Sequence, residues 1–233
     1  MSAKRALIGA LLLLLPACQQ AGAAARESQV LAPAASQPAR EAPGRRVAIF
    51  SGGCFWGIEA VFSHLKGVTS AVTGYQGGTR ATARYETVSG GNTGHAESVR
   101  VTYDPAQIRY DQLLQVFFSV GADPTQLNRQ GPDSGTQYRS ALVPLDAEQR
   151  RVAEAYLRQL GAAHLWQGPI VTRIEPDKGF FPAEAYHQDY AVKHPYQPYI
   201  AFNDAPKVEN LKKTFPDVWR DQPVLVQQAE KTN

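Results

Sequence analysis

The stretch V47-A-I-F-S-G-G-C-F-W-G-I-E-A-V-F62 decides how this chain is read. Val47–Phe50 is a short apolar run of strand type, closed by Ser51 and two glycines. From Cys54 the period changes. Ile58, Val61, Phe62 and Leu65 recur at i, i+3, i+4 and i+7, the spacing of one buried helix face. A strand that turns through Gly-Gly into a helix puts Cys54 at the helix start, where the positive end of the helix dipole lowers a thiol pKa and favours a nucleophilic thiolate. A lone cysteine is also commonly a small buried hydrophobe, but glycines that leave room for close approach favour chemistry. Trp56 shares its face with Glu59, Ala60 and Ser63, off the core stripe. It is read as an apolar wall for a small apolar substrate group, or alternatively as a tryptophan packed at an interface. Phe55 lies nearer the stripe.

Outward from this stretch, 68–75 reads as a strand and a Gly-rich loop follows it. Residues 96–103 alternate cleanly and end at Asp104-Pro105. Helices are expected over 110–120, over 146–163 with Asp146 as N-cap, over 182–194 with Pro182 in the first turn, and over 205–215. Residues 168–176 read as a strand. The order predicts an α+β fold, a two-layer sandwich with a ferredoxin-like mixed sheet and helices packed on it.

Glu97 has the strand parity of Val99, Val101 and Tyr103. If those face the core, so does Glu97, and desolvation raises its pKa and makes it a neutral proton donor. A solvated glutamate at a frayed strand end is the alternative. Tyr85, in the Gly-rich loop, and Tyr138 are candidate hydroxyl donors to an oxygen. No G-K-[ST] follows the loop glycines, which excludes a P-loop. His95, His164, His187 and His194 show no metal spacing and read as structural or surface residues. A Cys/His hydrolase with His95 as base stays open as an alternative, as does a non-catalytic binding role for Trp56.

The ends of the chain differ from its middle. Lys4 and Arg5 precede the apolar run A6-L-I-G-A-L-L-L-L-L-P-A17, which reads as a signal peptide over 1–17. Leu15-Pro16-Ala17-Cys18 resembles a lipobox, with Cys18 as the lipidated residue, so a membrane anchor is expected. Gln19 then points to the outer membrane, facing the periplasm. Residues 18–45 are rich in Ala, Pro, Gln and Ser without a period, and are expected to be a disordered tether with a reach of about 25–30 Å. The catalytic domain is expected over 46–221, with a C-terminal tail over 222–233. A net charge of +3 and the lack of basic runs exclude nucleic acid. A monomer is expected.

Five segments together carry a resemblance: GGCFWGIEAVF (52–62), GNTGHAESVRVTYDP (91–105), RQGPDSGTQYRS (129–140), FFPAEAYHQDY (180–190) and NDAPKVENLKKTFP (203–216). They resemble the A-type peptide-methionine sulfoxide reductases, from about Ala48 to Trp219. The resemblance implies reduction of the S-epimer of methionine sulfoxide, free or in oxidised proteins. It implies Cys54 as nucleophile, Glu97 as the acid for the sulfoxide oxygen, and Phe55 and Trp56 as the methyl pocket. It further implies Tyr85 and Tyr138 as hydroxyls on that oxygen and Asp133 as an acidic residue of the same site, with no bound cofactor. Many members carry resolving cysteines near the C-terminus. Here the two cysteines are Cys18 and Cys54, and none follows Cys54. A sulfenic acid on Cys54 is therefore expected to be reduced by an external thiol, a thioredoxin-like protein or a small thiol.

Overall fold

In the computed structural model, residues 30–226 are described. Strand β1 (Arg46–Ser51) runs through Gly52 and Gly53 into helix α1 (Phe55–Ser63), and α1 returns the chain to β2 (Val68–Gln76). A single helical turn, α2 (Tyr85–Val88), precedes β3 (Ala96–Tyr103), which inserts between β1 and β2 antiparallel to both. Helix α3 (Tyr110–Val116) continues as a π-helical turn through Gly121, and a small ribbon of β4 (Arg129–Gln130) and β5 (Asp133–Ser134) follows. Strand β6 (Ala141–Val143) then pairs with the free edge of β1. The core order β6-β1-β3-β2 is the pair of split βαβ units expected of a ferredoxin-like sheet.

Helix α4 (Ala147–Ala163) crosses to β7 (Arg173–Ile174), which lies parallel to β6, and β8 (Phe180–Pro182) closes the other edge against β2. The sheet is therefore six-stranded and mixed. Two further α-helices follow among the described residues, the one-turn α5 (Tyr190–Lys193) and α6 (Ala205–Thr214), the latter entered through a π-helical turn at Ile200–Asp204.

The i, i+3, i+4 stripe of α1 is buried as its period requires: Ile58, Val61, Phe62 and Leu65 are all in the core. Phe50 of β1 meets Phe62 of α1 at 4.7 Å and Phe117 at 5.4 Å between ring centroids, a geometry that adds to simple burial and ties the sheet to both helices. Among the described residues no helix is long and apolar enough to cross a membrane.

Three expectations are corrected. Residues 182–194 are not one helix. Pro182 ends β8, and only two short turns follow, broken at Asp189, whose backbone is left-handed (φ 56°). Tertiary hydrogen bonds outcompete helix here: Gln188 is held by the backbone of Thr73 and Ala183, and the Asp189 amide donates to Glu59. Of the strand expected over 168–176, only Arg173–Ile174 joins the sheet.

The tether is the third correction. Its first part, 18–29, lies outside the described residues, as do the signal peptide and Cys18. Residues 30–45 are a docked strap. Ala32 and Ala39 are buried. The strap has no partner strand, so side chains of α3 and α4 and of the turn after α3 satisfy its backbone. Ser119 Oγ accepts from the Ala32 amide (3.0 Å), Asp111 from the Ala39 amide (2.9 Å), and Tyr156 donates to the Pro33 carbonyl (2.6 Å). Aperiodic, small-residue composition gave no sign of this, because the order is imposed from outside the segment. At the far end, the Val224 amide donates to the Ser63 carbonyl and the Val226 amide to Asp189, so folded chain extends beyond 221.

Glu41 anchors the strap by accepting from the Tyr103 hydroxyl and from the Tyr110 amide (2.8 Å). Glu41→Ala leaves both donors without that partner. Chemical denaturation is expected to show a loss of about 1–3 kcal/mol; an unchanged midpoint would show that the strap adds nothing to the fold.

Candidate active site

Cys54 is the N-cap of α1 and its thiol is free and half-buried. The turn that places it needs glycine. Gly53 has φ +91°, and a Cβ there would lie 2.5 Å from Cβ of Gln130. Gln130 in turn clamps the amide and carbonyl of Asp123 (2.9 and 2.8 Å), so the β4–β5 ribbon that carries Asp133 lies directly against the Cys54 turn.

The charge state of the sulfur differs from the sequence expectation. The Trp56 amide does point at the sulfur and favours thiolate, as a helix start should. Burial, and then the carboxyls of Asp204, Glu97 and Asp133, act the other way, and the thiol pKa is pushed well above its usual value. A dipole effect confined to the first turn of a nine-residue helix does not offset desolvation together with three neighbouring carboxyls. The resting group is the thiol.

Glu97 is the second residue of β3 and is 3 % exposed. Val99, Val101 and Tyr103, its parity mates, are fully buried. Its carboxyl accepts from the amide of Phe55 (3.1 Å), the residue after Cys54, which joins the acid to the helix start. Burial, with smaller pushes from Asp133 and Asp204 and against the pull of the Phe55 amide, raises its pKa to about 8. At neutral pH this is a carboxylic acid with a proton to give.

Tyr85 begins α2, with its amide on Glu184 (3.0 Å), and Tyr138 ends the short turn after β5. Both rings are half-buried. Burial first and then the field of Glu97 raise both phenol pKa values, and Cys54 and Asp133 act on each as well. Both hydroxyls are thereby kept as O–H donors. Asp133 accepts from the Tyr199 hydroxyl. Cys54, Glu97, Tyr85, Asp133 and Tyr138 thus converge on one site.

The aromatic wall is more elaborate than a single tryptophan. Trp56 stacks on Tyr190 (centroids 3.9 Å, planes 11° apart) and meets the edge of Tyr199 at 6.0 Å. Its indole N–H donates to His187 Nδ1 at 3.1 Å. Phe55 is in the core beneath, 5.8 Å from Tyr75 and 5.1 Å from His187. His187 is structural, as read, yet it lies under the site, 4.5 Å from the Tyr85 ring. Burial lowers its pKa, so it stays neutral and can accept from Trp56. His95 is spent elsewhere: its ring nitrogens engage the Gly78 amide (3.2 Å) and the Thr79 carbonyl (3.0 Å), which removes it as a base for Cys54.

Tyr199, Asp204, Tyr190 and Glu59 were not singled out as site residues from the sequence. Tyr199 precedes and Asp204 ends a π-helical turn with no periodic signature; the Tyr199 bond to Asp133, its edge on Trp56 and the field of Asp204 at Cys54 mark them. Gly57 lets α1 approach that turn: a Cβ on it would lie 2.3 Å from the Asp204 carboxylate. No group of three or more metal-ligating side chains occurs among the described residues.

Residues 46–219 match the family described as peptide methionine sulfoxide reductase. Peptide methionine sulfoxide reductase MsrA 2 of Mesorhizobium japonicum is 56% identical over 190 residues, covering 82% of this chain and 97% of that protein. A protein of the same description from Synechocystis is 49% identical over 181 residues, 78% of this chain and 85% of that one. Among solved structures, methionine sulfoxide reductase A of Corynebacterium diphtheriae superposes with a TM-score of 0.57 at 34% identity, covering 76% of this chain and 92% of that chain. The reduced form of Mxr1 from Saccharomyces cerevisiae gives 0.59 at 33%, covering 68% and 91%.

Proposed function

Because the chain belongs to the peptide methionine sulfoxide reductase family, we propose that it reduces the S-epimer of methionine sulfoxide, free or in oxidised envelope proteins, with Cys54 as nucleophile and Glu97 as acid. The observation that carries this reading is the buried Glu97, whose carboxyl is bonded to the amide next to Cys54 (3.1 Å) and whose burial raises its pKa, so that it can donate a proton near neutral pH.

A sulfoxide oxygen is a strong hydrogen-bond acceptor and a poor leaving group. Tyr85 and Tyr138 donate to it, and Trp56 with Phe55 packs the methyl group. Glu97 transfers its proton to the oxygen as Cys54 Sγ bonds to sulfur. The thiol proton restores Glu97; the protonated oxygen passes to Cys54 Sγ as a hydroxyl, and both the substrate's S–O bond and the new Sγ–S bond break, which releases the thioether. Thiol and sulfoxide become sulfenic acid and thioether, with two electrons moved from the cysteine sulfur to the substrate sulfur and no net proton change. No cysteine follows Cys54, so the sulfenic acid is reduced by an external thiol, thioredoxin-like or small.

Envelope placement rests on the sequence of residues 1–18. Acyl chains on Cys18 hold the domain at the periplasmic face of the outer membrane.

Mass spectrometry tests both parts. Membrane-extracted protein is expected to carry acyl chains at Cys18. After one turnover without reductant, the S-epimer is expected to yield one equivalent of thioether and one oxygen on Cys54, trapped by a sulfenic-acid reagent. A Cys18–Cys54 disulfide, or equal turnover of the R-epimer, would overturn the mechanism; an unmodified Cys18 would overturn the anchor.

A further inference from the structure

Glu59 is a buried acid that the chemistry above does not use. It lies three residues after Trp56 on α1, hence on the same helix face, and is 2 % exposed. Its Oε2 accepts from the Asp189 amide at 2.8 Å, and the Tyr190 amide also faces the carboxyl. Its Oε1 has no hydrogen-bond partner. Burying a carboxyl on so few partners is costly, and its one firm bond falls on a strained corner: Asp189 is left-handed without being glycine. Lys193 (3.5 Å) and the Val226 amide (3.1 Å) hold the Asp189 side chain at the same corner. The next residue is Tyr190, whose ring forms the flat stack on Trp56. The four-residue turn α5 is too short to hold that ring by its own hydrogen bonds.

We propose that Glu59 is a positioning residue for the substrate pocket: it fixes the Asp189–Tyr190 corner so that Tyr190 stays stacked behind Trp56. This rests on the reading of Trp56 as the wall for the substrate's methyl group. Burial pushes the Glu59 carboxyl well above its usual range, against the pull of the Asp189 amide. Glutamine therefore mimics its neutral form and keeps a carbonyl acceptor for the corner. Leucine keeps the volume and removes the acceptor.

The test is steady-state kinetics on blocked methionine S-sulfoxide with dithiothreitol, together with the near-ultraviolet circular dichroism of the stacked Trp56–Tyr190 pair. Glu59→Leu is expected to raise KM about tenfold with kcat within twofold and to weaken the aromatic band. Glu59→Gln should stay within twofold of wild type on all three readouts. Glu59→Leu combined with Tyr190→Leu should be no worse than Tyr190→Leu alone. A KM within twofold in Glu59→Leu, a fall in kcat equal to the rise in KM, a Gln variant as impaired as Leu, or multiplying effects in the double variant would each overturn the proposal. If Glu59→Leu does not fold, Glu59→Asp, one methylene short of the corner, must show the KM rise and the weaker band; wild-type behaviour there overturns it. Trp56→Ala is the control for the underlying reading: an unchanged KM there removes Trp56 from the pocket, while the dichroism band still judges the link from Glu59 to the stack.

Discussion

Cys54→Ser is expected to abolish methionine sulfoxide reduction, with a fall in kcat/KM on the order of 10⁴-fold or more. The reason is redox as well as nucleophilic. Reduction of the sulfoxide takes two electrons, and in this mechanism they leave the cysteine sulfur as it becomes a sulfenic acid. A serine hydroxyl has no such pair to give, so the loss cannot be recovered by raising pH or reductant. The neighbours of Cys54 are set by the Gly52-Gly53 turn and by Gln130, none of which depends on the sulfur. The variant should therefore fold, with an unchanged melting temperature, and should still bind the sulfoxide against Trp56. Measurable single-turnover reduction by the folded serine variant would remove Cys54 as nucleophile. A non-catalytic binding role would leave the same variant fully competent in binding, so kinetics and binding measured together separate the two.

Glu97→Gln is expected to lower kcat about 10²–10⁴-fold, the range of a lost general acid. Glutamine still accepts from the Phe55 amide, so the helix start is kept and the missing proton is the main change. The pH dependence gives a second readout. With a pKa of about 8 in the folded protein, the acid form that catalyses is lost as pH rises through 8, and the wild-type rate should fall there. The Gln variant should lack that limb. Stability follows with a definite sign. The folded value lies above the ordinary 4.5, so the contribution of neutral Glu97 is fully present below about 4.5 and is lost as pH rises through about 8. Melting temperatures measured from pH 5 to 9 should therefore decline more steeply for wild type than for Glu97→Gln, with the variant the more stable at pH 9. Parallel curves would mean that Glu97 titrates normally and is not the proton donor.

How the site divides between chain order and tertiary structure is seen in its two halves. Cys54 and Glu97 belong to elements with strong periods. A helix of period 3.6 and a strand of period 2 announce which residues face inward, so Cys54 at a helix start and Glu97 on a buried parity could be argued before any coordinates, whereas their meeting was implied only by the family resemblance. Tyr190, Tyr199 and Asp204 sit in short turns tied to distant parts of the chain, as by the Asp189 amide on Glu59 and the Tyr199 hydroxyl on Asp133. No local pattern encodes such a bond, and the helix expected over 182–194 gave way to it. The strap shows the same in a larger segment. Residues 30–45 carry no period of their own, and they are ordered by acceptors and donors on α3, α4 and the turn after α3.

By itself, the sequence determined the strand-and-helix order of the core sheet, a cysteine at a helix start, and a glutamate on the inward parity of a strand. Tertiary structure alone decided that Cys54 rests as a thiol, that Trp56 is backed by Tyr190, and that the strap belongs to the folded body. The physical reason is one of range. Periodic burial is written into neighbouring residues. Desolvation, the field of three carboxyls and the satisfaction of unpaired backbone groups depend on what the rest of the chain brings alongside.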